Sequence, residues 1–244
     1  MAIDGDARLY IRDNDFPVSE TFVSIQGEGN HAGINSLFIR FQLCNLRCPW
    51  CDTKHTWTRF SDNYNMQTAE QLGQTIADHP QQHVILTGGE PSLFRLDRLA
   101  VTNKILHVES NGTIIPTRPL DLDLGDGCHV QREAMNEDII RRFNWVISPK
   151  LSNAQQPIHP EAITFWSQQD DAVFKFIVQN ERDIDEIDRL IREYCIDQNR
   201  VYLGLLGTTT ESQLRPQFVD TIVQRGYHLS PRLHILLWGQ SRGK

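Results

Sequence analysis

Short apolar runs alternate with longer polar stretches of helical character along most of this 244-residue chain. The apolar runs are rich in β-branched and aromatic residues, and their length favours strands over buried helices. The predicted strands are 37–43, 83–87, 104–108, 145–147, 172–178, 201–206 and 233–238.

Helices are predicted between several of these strands. Thr68 with Gln71 forms a capping-box pattern, which begins a helix. Asn180 precedes a stretch whose apolar residues share one helical face. Pro216 suits the first turn of a third helix, and Gly226 suits its end. The predicted helices cover about 68–77, 180–194 and 211–225.

Strands that alternate with helices indicate βαβ units and a mainly parallel sheet. About six such units are too few for an eightfold barrel. We therefore predict an α/β fold, a partial (β/α) barrel of about six parallel strands. The polar, turn-rich segment 117–143 is predicted as an insertion in a single domain, 1–244.

The composition is that of a folded protein, with 39% hydrophobic and 23% charged residues. No apolar run approaches the ~20 residues that span a bilayer, and the N-terminus lacks the apolar core of a signal peptide. We therefore expect a cytoplasmic protein without a membrane partner. The net charge of -7 does not favour nonspecific nucleic-acid binding, so no nucleic-acid partner is expected.

Three of the five cysteines, Cys44, Cys48 and Cys51, form a C-x3-C-x2-C pattern directly after the first predicted strand. Such a loop brings three thiolates to three corners of an iron–sulfur cluster, and the fourth iron stays open for a small molecule. A structural zinc ion is the alternative, and it needs a fourth ligand such as His55 or Cys128.

The cysteine pattern, followed by Thr87-Gly88-Gly89-Glu90-Pro91 at the end of a strand, resembles the radical S-adenosylmethionine superfamily. The resemblance implies a [4Fe-4S] cluster whose open iron chelates S-adenosylmethionine. It also implies that the glycine turn lets backbone approach the cofactor, which a residue without a side chain permits. Glu90 is expected to meet the ammonium group of the cofactor.

A narrower resemblance rests on residues 22–29, FVSIQGEG, on Arg40, on Thr53 after the last cysteine, and on His234. This set is similar to the 7-carboxy-7-deazaguanine synthase family. That family contracts the ring of 6-carboxy-5,6,7,8-tetrahydropterin to 7-carboxy-7-deazaguanine with loss of ammonia, in queuosine and archaeosine precursor synthesis. The substrate implied is thus a small pterin.

The same resemblance assigns the remaining site residues. Gln26 and Glu28 would read the donor and acceptor edge of the pterin, and Arg40 would clamp its carboxylate through a planar fork. Thr53 would be a ligand of Mg²⁺. The other substrate-binding residues implied are Ile25, Gly27, Thr87 and His234. The cofactor-binding residues implied are Trp50, Asp52, Gly88, Gly89, Glu90, Ser110, Ser148 and Lys150.

The family also leads us to expect a homodimer and a flavodoxin or ferredoxin as reductant. Two alternatives remain at this point. One is an activating enzyme that makes a glycyl radical on a partner protein, because such enzymes share the cysteine spacing. The other is a zinc-stabilised binding module, which metal analysis would distinguish.

Overall fold

A computed structural model describes residues 8–100 and 103–244. Residues 1–7 and 101–102, which the single-domain prediction includes, lie outside the described residues. The strands are β1 (Leu9–Ile11), β2 (Phe16–Ile25), β3 (Asn35–Phe41), β4 (Asn65–Gln67), β5 (His83–Gly88), β6 (Ile105–Ser110), β7 (Leu120–Gly125), β8 (Cys128–Arg132), β9 (Asn144–Ile147), β10 (Val173–Val178), β11 (Val201–Leu205) and β12 (His228–Ser230). The helices are α1 (Ala69–Asp78), α2 (Glu137–Ile140), α3 (Pro160–Ser167), α4 (Glu181–Tyr194), α5 (Thr210–Gln213), α6 (Pro216–Gln224) and α7 (Leu233–Trp238).

Nine of these strands form one large sheet in the order β12-β11-β10-β9-β6-β5-β3-β2-β4. From β3 to β12 every neighbouring pair is parallel, which makes seven parallel strands among the described residues. The long strand β2 runs antiparallel to β3, and β4 runs antiparallel to β2. The sheet is therefore mainly parallel, as predicted, with an antiparallel edge that the sequence pattern did not indicate.

Six of the predicted strands correspond to β3, β5, β6, β9, β10 and β11. The seventh prediction was wrong, because residues 233–238 form helix α7 rather than a strand. Ile235 is buried while Leu237 is exposed, as expected of a helix with one face against the protein. A short apolar run does not by itself distinguish a strand from a helix, and β12 occupies the sheet edge instead.

The predicted helix starts agree with the structure. Thr68 and Gln71 make both bonds of a capping box at α1, and Asn180 caps α4 in the same way. The third predicted helix is two helices, α5 and α6, with Pro216 in the first turn of the second. Proline disfavours helical backbone in the residue before it, which explains the break at Arg215.

The segment 117–143, predicted as an insertion within a single domain, contains β7, β8 and α2. The hairpin of β7 and β8 pairs with β1 to form a separate three-stranded sheet in the order β1-β8-β7. Cys128 and Val130 of this small sheet are buried in the same hydrophobic core as the large sheet. The described part of the chain contains no helix long and apolar enough to cross a membrane.

Candidate active site

A cavity of about 490 Å³ opens at the loops that follow the parallel strands. It is lined by almost every residue that the sequence analysis assigned to a site. These residues are Ile25, Gln26, Gly27, Glu28, Arg40, Cys44, Cys48, Trp50, Cys51, Asp52, Thr53, Thr87, Gly88, Gly89, Ser110, Ser148, Lys150 and His234. Glu90 is the exception.

The cysteine loop, which we define as residues 42–53, leaves the end of β3 through Leu43, a residue in the left-handed region with φ 78°. Buried Gln42 donates to the carbonyls of His55 and Thr58, each at 2.7 Å, and so holds the returning chain against the start of the loop. The Cys44 N–H donates to the Trp57 carbonyl at 3.1 Å. These bonds hold the loop so that all three thiols face the cavity.

The three thiols suit a metal cluster chemically. They form no disulfide, and Cys44 and Cys48 are nearly inaccessible to solvent. Burial raises the pKa of Cys44 to about 12, and it also raises the pKa of Cys48. Such thiols remain protonated unless a metal binds them, since a bound cation deprotonates its thiol ligands. The residues present therefore fit a cluster held by three cysteines.

The two side chains considered as a fourth zinc ligand lie elsewhere. Cys128 is buried on β8 of the small sheet, and His55 approaches Glu20 at 3.9 Å; neither lines the cavity. Within residues 8–100 and 103–244, no group of three or more His, Cys, Asp or Glu side chains is arranged to hold a single metal ion.

The glycine turn after β5 is pressed against the start of the cysteine loop. A Cβ on Gly89 would lie 1.9 Å from the Leu43 carbonyl oxygen, and one on Gly88 would lie 2.3 Å from the Phe41 nitrogen. The backbones also bond directly, since Glu90 N–H donates to the Leu43 carbonyl at 2.8 Å. Glycine is thus required here for contact with the cysteine loop, in addition to any approach to a cofactor.

The Glu90 side chain is held inside the protein and is not among the residues that line the cavity. It is fully buried, and its carboxylate accepts hydrogen bonds from Ser92 N–H, Ser110 Oγ and Asn111 N–H at 2.7–2.8 Å. The carboxylate therefore joins the ends of β5 and β6 instead of pointing into the cavity. The expected contact of Glu90 with the cofactor ammonium group stays a prediction.

The loop after β2, residues 26–29, is called the QGEG loop here. It contacts β12, the strand at the far edge of the sheet. Gln26 Nε2 donates to Glu109 Oε1 of β6 at 2.9 Å, and Gly29 N–H donates to Ser230 Oγ of β12 at 2.8 Å. Gly27 packs so closely on the helix α7 that a Cβ would lie 2.4 Å from His234 Nδ1. This loop therefore places Gln26 and Glu28 in the cavity.

A buried network of charges surrounds Glu28. Lys175 Nζ contacts Glu28 Oε2 at 2.7 Å and Glu109 Oε2 at 2.6 Å, and Arg232 Nε contacts Glu28 Oε1 at 2.9 Å. Burial alone would raise the pKa of Glu28, but Lys175 and Arg232 outweigh burial, and the pKa of Glu28 falls well below its usual range. Burial raises the pKa of Glu109 against the opposing charge of Lys175.

Three members of this network, Glu109, Lys175 and Arg232, were missed as site residues. Lys175 had a detectable signal, because it is a lone charge between Phe174 and Phe176 in an apolar strand, and lysine is rarely buried without a partner. Glu109 and Arg232 are charged residues close to the predicted positions Ser110 and His234, and they gave no separate signal.

Arg40 lies at the opposite wall of the cavity, on β3. Its Nε donates to Glu20 Oε1 at 2.6 Å, and its guanidinium lies 5.8 Å from the centre of the Phe22 ring. Within the described residues, its two terminal nitrogens make no hydrogen bond. Glu20 therefore holds the Arg40 side chain through Nε, and the two terminal nitrogens remain available at the cavity.

Most of the remaining assigned side chains lie near the thiols, whereas His234 lies near Glu28. Thr53 Oγ1 lies 3.5 Å from Cys51 Sγ. Lys150 Nζ donates to Ser148 Oγ at 3.1 Å and lies 5.6 Å from the centre of the Trp50 ring. His234 Nε2 lies 3.8 Å from Glu28 Oε1, and burial lowers the pKa of His234, which favours the neutral ring.

The fold and this site together define a radical S-adenosylmethionine protein with an α/β architecture. The family model of the Radical SAM superfamily matches residues 38–148, which contain the cysteine loop and the glycine turn. The 7-carboxy-7-deazaguanine synthase of Pyrobaculum aerophilum is 34% identical over 239 residues, which cover 93% of this chain and 96% of the relative. That of Rhodopirellula baltica is 32% identical and covers 98% of this chain and 92% of the relative.

This chain belongs to the 7-carboxy-7-deazaguanine synthase family. The fold agrees with that of a solved structure described as QueE from Escherichia coli, with a TM-score of 0.65 at 24% identity, covering 88% of this chain and 93% of that one. The predictions of family and enzyme class are confirmed. Neither the activating enzyme nor the zinc-stabilised module is favoured.

Proposed function

We propose that this enzyme converts 6-carboxy-5,6,7,8-tetrahydropterin to 7-carboxy-7-deazaguanine and ammonia. The observation that carries the proposal is the single cavity that three cysteines share with Gln26, Glu28 and Arg40. The cysteines supply a radical source, and the other three supply donors and acceptors for a small, planar, acidic substrate. Substrate and products have the same total composition, so the reaction consumes no net oxidant.

Cys44, Cys48 and Cys51 would hold the [4Fe-4S] cluster that the family implies. When bound, the reduced cluster and S-adenosylmethionine supply a carbon radical that removes one hydrogen atom from the substrate. The protein binds and orients the substrate and keeps water from the reacting carbon. Gly88, Gly89, Trp50, Ser148 and Lys150 line the cavity near the thiols, which supports their proposed place around the cofactor.

Glu28 and Gln26 would face the amino-pyrimidinone edge of the substrate. The low pKa of Glu28 keeps it ionised, so it accepts hydrogen bonds from the ring N–H and amino groups. Each of its oxygens already accepts one bond, from Lys175 or Arg232, and retains a second lone pair. Gln26 is fixed by Glu109, so its orientation is set before substrate binds.

Arg40 would bind the substrate carboxylate through its free terminal nitrogens, since a planar fork matches two carboxylate oxygens. Ile25, Gly27, Thr87 and His234 line the same cavity, which supports their assignment to the substrate. Ser110 lines the same cavity, which supports its proposed place around the cofactor.

Thr53 would ligate Mg²⁺ together with water and substrate oxygens, because Mg²⁺ retains several waters when few protein ligands are offered.

We propose further that the sheet is the partial barrel expected from the sequence; the contact between the QGEG loop and β12 supports a curved sheet. A homodimer, and reduction by a flavodoxin or ferredoxin, remain proposals that rest on the family.

The test is anaerobic reconstitution with iron and sulfide, followed by reductant, Mg²⁺, S-adenosylmethionine and 6-carboxytetrahydropterin. We expect 7-carboxy-7-deazaguanine by mass, its loss in Cys48→Ala, and its retention in Cys195→Ala, because Cys195 is exposed at the end of α4. If a loaded cluster cleaves the cofactor but the pterin is unchanged, the substrate assignment is wrong.

A further inference from the structure

Arg232 joins three loops that come from distant parts of the chain. Its Nε donates to Glu28 Oε1 at 2.9 Å in the QGEG loop, and its Nη1 donates to the Gly207 carbonyl at 2.6 Å after β11. Its Nη2 donates to Asp52 Oδ2 in the cysteine loop. Arg232 is buried, whereas the Asp52 side chain is 41% exposed.

The geometry requires a guanidinium. Three N–H groups of one planar fork point to three acceptors in different loops, and an ammonium group has no equivalent fixed arrangement. Burial alone would lower the pKa of Arg232, but Glu28 and Asp52 outweigh burial and keep the side chain charged. Arg232 thus holds its partners in one geometry.

The contact between Arg232 and Asp52 restricts the cysteine loop because of where Asp52 lies in that loop. Asp52 lies between Cys51 and Thr53, so a movement of Asp52 moves a thiol and a hydroxyl of the site. Glu28, at the other end of the link, faces the same cavity. A ligand that fixes Glu28 therefore restricts the end of the cysteine loop through one side chain.

We propose that Arg232 is a positioning residue that couples substrate binding at the QGEG loop to the order of the cysteine loop. This inference rests on the proposed function for the identity of the two ligands. By linkage, the pterin should then tighten S-adenosylmethionine binding, and the cofactor should tighten pterin binding by the same factor.

The first experiment measures the dissociation constant of S-adenosylmethionine on the reconstituted enzyme, with and without the pterin. In the wild type we expect the pterin to lower this constant about fivefold or more. In Arg232→Lys the charge remains but the fork is lost, and we expect the ratio to fall to within about twofold of unity. Arg225→Lys, which alters an exposed ion pair with Asp185 and Asp188, should keep the wild-type ratio.

The second experiment is hydrogen exchange of the same proteins. In the wild type the pterin should slow exchange in both 26–29 and 44–53; in Arg232→Lys it should slow exchange in 26–29 alone. Asp52→Ala removes the acceptor at the other end of the link and should give the same pattern if Arg232→Lys folds poorly. Protection of 44–53 by the pterin that persists in both variants would overturn the proposal.

The two experiments separate this inference from the proposed function. If the wild type binds no pterin, the substrate assignment fails, and the link is tested without ligand. Arg232→Lys should then exchange faster than wild type in both 26–29 and 44–53, while Arg225→Lys should not. Unchanged exchange in 44–53 of Arg232→Lys would show that Arg232 does not position the cysteine loop.

Discussion

Replacement of Lys175 by methionine tests whether the buried charge network is organised as the structure shows. Lys175 is 9% exposed in its side chain and is the shared partner of Glu28 and Glu109, which are 16% and 14% exposed. Methionine keeps most of the apolar stem but leaves Glu109 without a cation. Loss of one partner of a buried ion pair costs about 3–5 kcal/mol.

We expect the lower end of this range, because the cavity admits some water to both carboxylates. A loss of about 3 kcal/mol corresponds to roughly 6–12 °C in melting temperature for a protein of this size. The assay is chemical unfolding of the metal-free protein near neutral pH. Lys54→Met, at an exposed lysine, is the matched control and should change the unfolding free energy by no more than about 0.5 kcal/mol.

The pH dependence of this loss gives a second, independent check. Burial raises the pKa of Glu109 even with Lys175 present, and removal of Lys175 raises it further. A folded-state pKa above the unfolded value means that stability is gained as pH falls through the folded pKa. The deficit of Lys175→Met should therefore shrink as pH is lowered from neutral, and Glu109→Gln in the same chain should recover about 1–2 kcal/mol. A deficit below about 1 kcal/mol, or one independent of pH and of Glu109→Gln, would refute the reasoning.

Three further predictions concern other parts of the molecule. Burial, and the charges of two neighbouring histidines, lower the pKa of His107 to about 3 from 6.5, so the unfolding free energy should fall by up to about 1.4 kcal/mol per pH unit as pH drops below about 6.5. Denaturant unfolding at several pH values should show that this free energy depends less steeply on pH in His107→Leu, and an equal dependence would contradict the prediction. Gly89→Ala should lower the unfolding free energy by about 1–3 kcal/mol and reduce bound iron, because its Cβ would clash with the cysteine loop. The control Gly73→Ala, in open space on α1, should instead raise the unfolding free energy by about 0.5–1 kcal/mol. Equal effects of the two substitutions would exclude the clash. Arg40→Lys should raise the KM for the pterin about tenfold or more while iron content is unchanged. Steady-state kinetics and iron analysis measure both quantities. An unchanged KM would show that Arg40 does not bind the substrate.

Several features could be predicted from local sequence because they depend on residues close together in the chain. The three cysteines lie within one loop, so their spacing alone brings the thiols near one another. The capping residues of α1 and α4 bond to backbone three residues away. The apolar runs of the parallel strands are buried on both faces, which gives a continuous signal.

Other features depend on partners that only the folded chain brings together. Lys175 contacts Glu28 across 147 positions, and Arg232 contacts Asp52 across 180. No local pattern specifies such a pair, and the resemblance assigned Glu28 and Asp52 without their cationic partners. The pKa shifts of Glu28 and Glu109 depend on these contacts, so the sequence could not predict them.

Two predictions about individual segments show the same division. The run 233–238 was predicted as a strand, but β12 forms the edge of the sheet and the run forms helix α7, which places His234 at the cavity. The motif around Glu90 indicated a turn at the end of a strand, but the contacts of its carboxylate depend on Ser110 and Asn111 at the end of another strand. The sequence alone thus determined which groups carry the chemistry, since that follows from residue type and short spacing. Tertiary structure decided how those groups are charged and oriented, because both depend on distances between residues far apart in the chain.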